Sequence, residues 1–318
     1  MMAEYLVTGG AGFIGSNIVE VLLNRGESVR VLDNFSTGKR ENLSAFKDRI
    51  ELVEGDICDL DACRDAVRGV RYVLHQAALA SVPRSVKMPI ESNRVNVEGT
   101  LNVLVAARDE SVKRVVYAGS SSAYGDTPTL PKEESMKPEP LSPYAISKLT
   151  GEYYCQVFYP LYGLETVVLR YFNVFGPRQD PESQYAAVIP KFLAALMNGE
   201  SPTIYGDGEQ SRDFTFVENV VEANLLATMA EGAAGKVFNL ACGERITVNQ
   251  LAEAIKRELG SGIDFTYAAS RPGDVKHSLA DITRARSTLG FEPKVTTAEG
   301  LRRTVAWYVA QAGQGGTE

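Results

Sequence analysis

Tyr144 and Lys148 lie four residues apart in Tyr144-Ala145-Ile146-Ser147-Lys148, inside a stretch from about Pro143 to Leu161 with a helical pattern. That spacing puts both side chains on one helix face. A phenol has a pKa of about 10 and is a poor base at neutral pH. Lowering it to about 7 takes roughly 4 kcal/mol of preferential stabilisation of the phenolate. A unit charge about 4 Å away supplies that much at an effective dielectric near 20. The pair is therefore suited to moving the proton of an alcohol. An amphipathic helix with an exposed lysine has the same spacing, so the surroundings decide. Upstream, a strand pattern runs through Tyr117-Ala118-Gly119 into Ser120-Ser121-Ser122. Ligands meet parallel strands at their carboxyl ends. These serines are thus candidates to hydrogen-bond a substrate hydroxyl beside Tyr144; the alternative is a polar turn capped by its own serines.

A second group is Thr8-Gly9-Gly10-Ala11-Gly12-Phe13-Ile14-Gly15, between the strand pattern Tyr5-Leu6-Val7 and a helix predicted from about Phe13 to Asn24. A helix N-terminus presents free N–H groups and a positive dipole end, which together hold a pyrophosphate. Side chains at Gly9, Gly12 and Gly15 would block that approach. Asp33 follows Gly15 by 18 residues, at the end of the next strand pattern. A carboxylate there binds a ribose diol. The following Asn34-Phe35-Ser36 offers no arginine for a 2′-phosphate, so the cofactor expected is NAD and not NADP. A tight glycine turn without a ligand is the alternative.

The elements that must hold these residues alternate. Short β-branched runs at Ser28–Leu32, Glu51–Val53, Tyr72–Leu74, Arg114–Tyr117 and Thr166–Leu169 are separated by helical stretches, one of them from about Asn93 to Asp109. This rhythm predicts right-handed crossovers and a Rossmann-type doubly wound parallel sheet, an α/β fold. After Arg170 the strands scatter, at Thr203–Tyr205, Lys236–Asn239 and Ile263–Phe265, with helices near Val188–Asn198, Val217–Ala230 and Val248–Glu258. The expected division is a dinucleotide domain over residues 1–170 and a smaller mixed α/β substrate region over 171–318. Val237-Phe238-Asn239 is placed to rejoin the main sheet.

Composition narrows the function. The 318 residues carry a formal charge of −7 with acids and bases interspersed, which gives no basic face for nucleic acid. The apolar run after Glu4 ends at Thr8-Gly9, too short for a signal peptide or a membrane span. Four cysteines without a CxxC pair suggest reduced thiols in a cytosol. His75 and His277 are far apart, so no metal site is expected. Gln76-Ala77-Ala78, after the strand ending at His75, is small enough to let a cofactor pass; His75 itself reads as structural. Arg84 is placed either to touch substrate or to sit at the surface.

Together these motifs resemble the extended short-chain dehydrogenase/reductase family, and within it the UDP-glucose and UDP-N-acetylglucosamine 4-epimerases. The resemblance runs from the glycine loop to Trp307-Tyr308. It implies a catalytic triad at Ser120, Tyr144 and Lys148. It puts the cofactor against Gly9, Gly12, Phe13, Ile14, Gly15, Asp33, Asn34, Gln76, Ala77, Ala78 and Ala118, besides Tyr144 and Lys148. Asp56 and Ile57 fall where the family meets adenine, and Asn96 where it steadies the cofactor loop. For a UDP-sugar it implies Asn173 and Arg212 on the diphosphate, Ala187 and Val188 over the uracil with Phe192 close by, and Tyr205 nearby. Arg271 would be a second phosphate arginine, Asp274 a ribose ligand, and Ser278 the wall of the sugar pocket, alongside Ser120, Ser121 and Ser122. Arg212 could instead pair with Asp213 at the surface, and Arg271-Pro272-Gly273-Asp274 could be a plain turn. The helices near Asn93–Asp109 and Pro143–Leu161 resemble those that pair in the family's homodimers.

The family also contains dehydratases and decarboxylases, which place an acid just after the catalytic Ser or Thr. Here those positions are Ser121 and Ser122. The expected reaction is therefore reversible oxidation at C4 of a UDP-hexose with NAD retained. A small Ser278 would admit 2-acetamido sugars as well. A dehydratase or decarboxylase, or a non-catalytic NAD-sensing regulator, are the alternatives.

Overall fold

Every residue of Tyr5-Leu6-Val7-Thr8 is buried and forms β1 (Tyr5–Thr8). Unbroken burial is what a strand covered on both faces requires. In a computed structural model, residues 3–181, 187–269 and 276–314 are described. The glycine loop follows, then α1 (Phe13–Asn24), β2 (Val29–Asp33), β3 (Ile50–Glu54), α2 (Leu60–Val67), β4 (Tyr72–His75), α3 (Val82–Lys87) and α4 (Pro89–Asn93). A π-helical turn over Arg94–Gly99 leads into α5 (Thr100–Asp109), β5 (Arg114–Ser120), α6 (Pro143–Tyr162) and β6 (Glu165–Tyr171). The second half contributes β7 (Val174–Phe175), α7 (Val188–Met197), β8 (Thr203–Tyr205), β9 (Ser211–Arg212), β10 (Thr215–Phe216) and α8 (Val217–Met229). Last come β11 (Lys236–Leu240), β12 (Ile246–Thr247), α9 (Val248–Leu259), β13 (Thr266–Ala268) and α10 (Thr297–Gln314).

Seven strands form one parallel sheet in the order β11-β6-β5-β4-β1-β2-β3. The chain reverses direction across the sheet between β1 and β4, which opens a crevice at their carboxyl ends. Alternate strand residues feed opposite cores. Tyr5, Val7, Val31 and Leu74 pack with α1 and α8. Leu6, Leu32, Val73 and Val115 pack with α2, α5 and α6. A third core, around Phe175, Phe192, Phe214 and Phe216, joins α7, α9 and α10. The sheet and flanking helices are the doubly wound α/β arrangement expected, and β11 stands beside β6 at its edge.

Two local expectations need correction. The single helix over 93–109 is instead α4, the π turn and α5. The widened turn carries Asn96, whose amide bonds the backbone of Leu79 across the crevice. The strand expected at Ile263–Phe265 lies three residues later, as β13 paired with β8. Ile263 and Phe265 pack against the third core instead.

Candidate active site

α1 begins at Gly12 with no side-chain cap, so its first N–H groups open toward the crevice. Gly9 has φ +66, and a Cβ there would stand 2.7 Å from Ala77 Cα. A Cβ on Gly15 would stand 2.1 Å from the Gly9 carbonyl oxygen. These glycines make the turn and leave room for a phosphate at the helix end. Asp33 ends β2 with its carboxylate accepting from Ala11 N at 2.9 Å and Phe35 N at 2.8 Å. Burial raises its pKa above the usual carboxylate value, partly offset by those two bonds. Farther along, Asp56 accepts from Cys58 N and from Asn34 Nδ2. Burial raises its pKa, but the bonds outweigh it and leave the group below its ordinary value.

Two adjoining cavities, about 90 Å³ and about 390 Å³, share Gly9, Gly12, Gln76 and Ala78. The first is lined by Asp33, Asn34, Asp56, Ile57 and Ala77. The second runs past Phe13, Ile14 and Gly15 to Ala118, Tyr144 and Lys148. Except for Asn96, every cofactor residue expected from the sequence lines this channel. Asn96 lies behind it: its Oδ1 accepts from Leu79 N at 2.8 Å, and its Nδ2 donates to Leu79 O and Ser147 Oγ. Dinucleotide chemistry thus fits the residues present: donors at one helix end, a carboxylate at the next strand end, and a slot without obstructing side chains.

Several channel residues escaped the sequence reading. Lys39, Arg178, Gln179 and Asp180 line it. Lys39 pairs with Asp180 at 3.0 Å and Arg178 with Glu20 at 2.7 Å, so the 177–180 segment is strapped to the cofactor side. Ser85 is buried, and its Oγ accepts the Tyr144 N–H at 3.0 Å. It satisfies one of the free N–H groups that start α6, beside Ser142, whose Oγ accepts from Ala145 N. Only a contact across 59 residues reveals Ser85. Arg84, from the same short helix, lines the chamber with Tyr144 and is held by Glu91 at 3.0 Å.

Ser120 ends β5, with its Oγ 2.8 Å from Ser122 Oγ and accepting from Ser122 N. Lys148 is 4% exposed, with its Nζ 4.4 Å from the Tyr117 ring centroid. Burial raises the Tyr144 phenol above its ordinary pKa, and the Ser120 hydroxyl opposes that rise. Burial pushes the Lys148 amine down to about 7. This corrects the simple Coulombic expectation. Desolvation dominates both groups, and an amine titrating near neutrality offers only part of a unit charge. His75 bonds Thr8 and Thr100, and burial drops its pKa to about 3, so it stays neutral. Among the described residues no cluster of His, Cys, Asp and Glu could hold a metal ion.

A further cavity of about 480 Å³ meets the channel at Gln179 and Ala187. Asn173, Val188, Phe192, Tyr205 and Arg212 line it. Ser278 accepts from Asn173 Nδ2 at 3.2 Å. Ser121 and Ser122 stay in the turn after Ser120. Arg271 and Asp274 lie outside the described residues. Asp213 is not at the surface beside Arg212, as the ion-pair alternative required; it is fully buried.

Comparison with known proteins accords with this geometry. The model of the NAD dependent epimerase/dehydratase family matches residues 5–241. The UDP-glucose 4-epimerase of Mycolicibacterium smegmatis is 40% identical over 307 residues, covering 95% of this chain and 97% of that protein. The solved UDP-N-acetylglucosamine 4-epimerase of Methanobrevibacter ruminantium, in complex with UDP-N-acetylmuramic acid, is 45% identical with TM-score 0.92, over 97% of this chain and 99% of that one. The UDP-glucose 4-epimerase of Thermotoga maritima, solved with UDP-glucose, is 40% identical with TM-score 0.92 over the same shares. Nucleotide-sugar dehydratases and decarboxylases also occur among the relatives, at 36%, 33% and 32% identity. The chain belongs to the NAD dependent epimerase/dehydratase family, within the extended short-chain dehydrogenase/reductases.

Proposed function

We propose that this protein inverts C4 of a UDP-hexose, interconverting UDP-glucose and UDP-galactose and their 2-acetamido counterparts, with NAD held throughout. One observation carries the reading. Tyr144 and Lys148 line the cofactor channel, and the two residues that follow Ser120 at the end of β5 are serines, with no carboxylate. Elimination or loss of carbon dioxide would need an acid there.

Gly9, Gly12, Gly15 and Asp33 would hold NAD, which would supply the hydride acceptor for C4 and the donor for its return, with a positive charge that favours a phenolate. Tyr144 takes the O4 proton, and Ser120 holds O4 by a hydrogen bond. Lys148 favours the phenolate. The 4-keto sugar then turns about its diphosphate linkage, and Tyr144 returns the proton once the other face is presented. Arg212, Arg271 and Asn173 hold the diphosphate, Ala187, Val188, Phe192 and Tyr205 surround the base, and Asp274 takes the ribose. In this reading residues 1–170 with β11 serve the cofactor, and most of 171–318 serves the UDP-sugar. Ser278, being small, leaves room for an acetamido group.

We also propose a cytoplasmic homodimer. Four free cysteines suit a reducing compartment, and among the described residues no helix is long and apolar enough to cross a membrane. Ile146, Tyr153, Val157 and Leu161 form an exposed stripe on α6, next to Val86, Met88 and Ile90. A two-fold axis would lay that stripe on its own copy. The apolar surface thus lies on α6 with α3 and α4, not on α5.

The test is to incubate purified protein with UDP-galactose and UDP-N-acetylgalactosamine and identify the products. C4 epimers without net NADH production are expected. A dehydrated or decarboxylated product would move the reading to those relatives' chemistry, and NAD binding without turnover to a regulator. Ser278→Tyr should abolish turnover of the acetylated sugars and spare the others; unchanged acetylated turnover would remove Ser278 from the selectivity argument.

A further inference from the structure

Asp213 has no exposed surface, and its carboxylate is spent on main chain. Oδ1 accepts from Cys242 N at 3.0 Å; Oδ2 accepts from Gly243 N at 3.1 Å and Ala280 N at 3.2 Å. The donors come from two distant segments, the turn after β11 and the stretch that carries Ser278. The backbone of Asp213 is used as fully. Its carbonyl accepts Asn173 Nδ2 at 2.9 Å, and its N–H donates to Ser278 Oγ at 3.4 Å. Asn173 Nδ2 also donates to Ser278 Oγ at 3.2 Å, and Ser278 N donates to Ser211 O at 3.0 Å. Asn173, Arg212 and Ser278, from three separate parts of the chain, therefore meet at one residue.

Burying a carboxylate is unfavourable unless its oxygens are matched by donors. Here burial pushes the Asp213 pKa up to about 7 against the pull of three N–H groups, and Glu244 acts in the same direction as burial. Stability alone would be served as well by packed apolar residues. A carboxylate instead offers several fixed acceptor directions, enough to hold three main-chain segments in register.

We infer that Asp213 is the positioning residue of the nucleotide-sugar subsite, setting the register of Arg212, Asn173 and Ser278 against one another. This rests on the epimerase reading of the same site. The Tyr144–Lys148 pair and the α1 phosphate end share no hydrogen bond with Asp213. Loosening it therefore weakens the grip on the nucleotide sugar without touching the chemical step, the signature of lost uniform binding.

The near-isosteric Asp213→Asn variant tests this, since it mismatches the three donors and keeps the volume. KM for UDP-galactose and the Kd for UDP by calorimetry should each rise about tenfold or more, while kcat stays within about threefold. Bound NAD should be retained. Asn173→Ala, which leaves the carboxylate in place, should give a smaller rise in the same two constants, and the double variant less than the product of the two. Wild-type KM and UDP affinity in NAD-loaded Asp213→Asn would overturn the inference, as would a fall in kcat with KM unchanged. If Asp213→Asn does not fold, an Asn173→Ala variant with unaltered UDP affinity overturns it equally. UDP binding that follows this pattern in a wild type unable to epimerise any UDP-hexose would sink the activity and leave Asp213 in its role.

Discussion

The channel proposed for the cofactor and the cavity proposed for the nucleotide sugar adjoin at Gln179 and Ala187, yet they are built in opposite ways. The channel hangs on the carboxyl ends of a continuous seven-stranded sheet. Its donors are main-chain N–H groups placed by a glycine turn and a helix start, so position follows from regular structure. The sugar cavity has no such frame. Its strands are two or three residues long, in three separate two-stranded pieces. Side chains tie them: Asp213 to Cys242, Gly243 and Ala280, Gln210 to Tyr205, and Asn173 to Asp213. A site framed by a sheet is preorganised by the fold. A site sewn from short pieces depends on a few buried polar residues, and each becomes a point of failure.

That contrast can be broken by substitution. The largest effect should come within the channel: Tyr144→Phe removes the proposed acid–base group and should lower kcat about a thousandfold with NAD still bound. Near wild-type turnover would remove the phenol from the mechanism. Gly15→Ala strikes the sheet-framed region. Its Cβ would meet the Gly9 carbonyl at 2.1 Å, so the α1 start must shift. NAD affinity, read from cofactor content and titration, should fall on the order of a hundredfold. Retained NAD would show that the helix end is not the phosphate seat. Arg212→Met strikes the sewn region and should raise KM for the UDP-sugar about tenfold to a hundredfold with NAD content unchanged. Equal loss of NAD would mean that the two regions are not separable.

The smallest effect sharpens the electrostatics. Burial holds the Lys148 pKa at about 7, below its ordinary value of 10.5. The unfolded chain therefore binds the proton more tightly, and this group's penalty on stability is full below about 7 and fades as pH rises toward 10.5. An inactive Lys148→Met variant should exceed the wild type in Tm by a few degrees at neutral pH, with the gap closing as pH rises through that window. A constant gap would mean that burial does not set the lysine's charge.

How much could be read beforehand follows the same division. Gly9, Gly12, Gly15 and Asp33 were legible because a turn, a helix start and a strand end are local features. Tyr144 and Lys148 were legible through one helical repeat. Ser85 was not, because nothing near position 85 announces a bond to Tyr144. Lys39 and Asp180 were not, because their pairing spans 141 residues. Nor was Asp213, because adjacent opposite charges offer only a surface pair with Arg212 as an alternative and nothing local announces its buried donors.

The sequence by itself determined the α/β alternation, the glycine turn, the carboxylate at the end of β2 and the helix that carries Tyr144 and Lys148, all of which arise from backbone preferences and spacings of a few residues. Only the tertiary structure decided that Lys148 is desolvated, that the π turn aims Asn96 at Leu79, and that Asp213 turns inward to join three segments. Burial and long-range hydrogen bonding are properties of the packed chain, and the free energy of a charge depends on what surrounds it rather than on its neighbours in sequence.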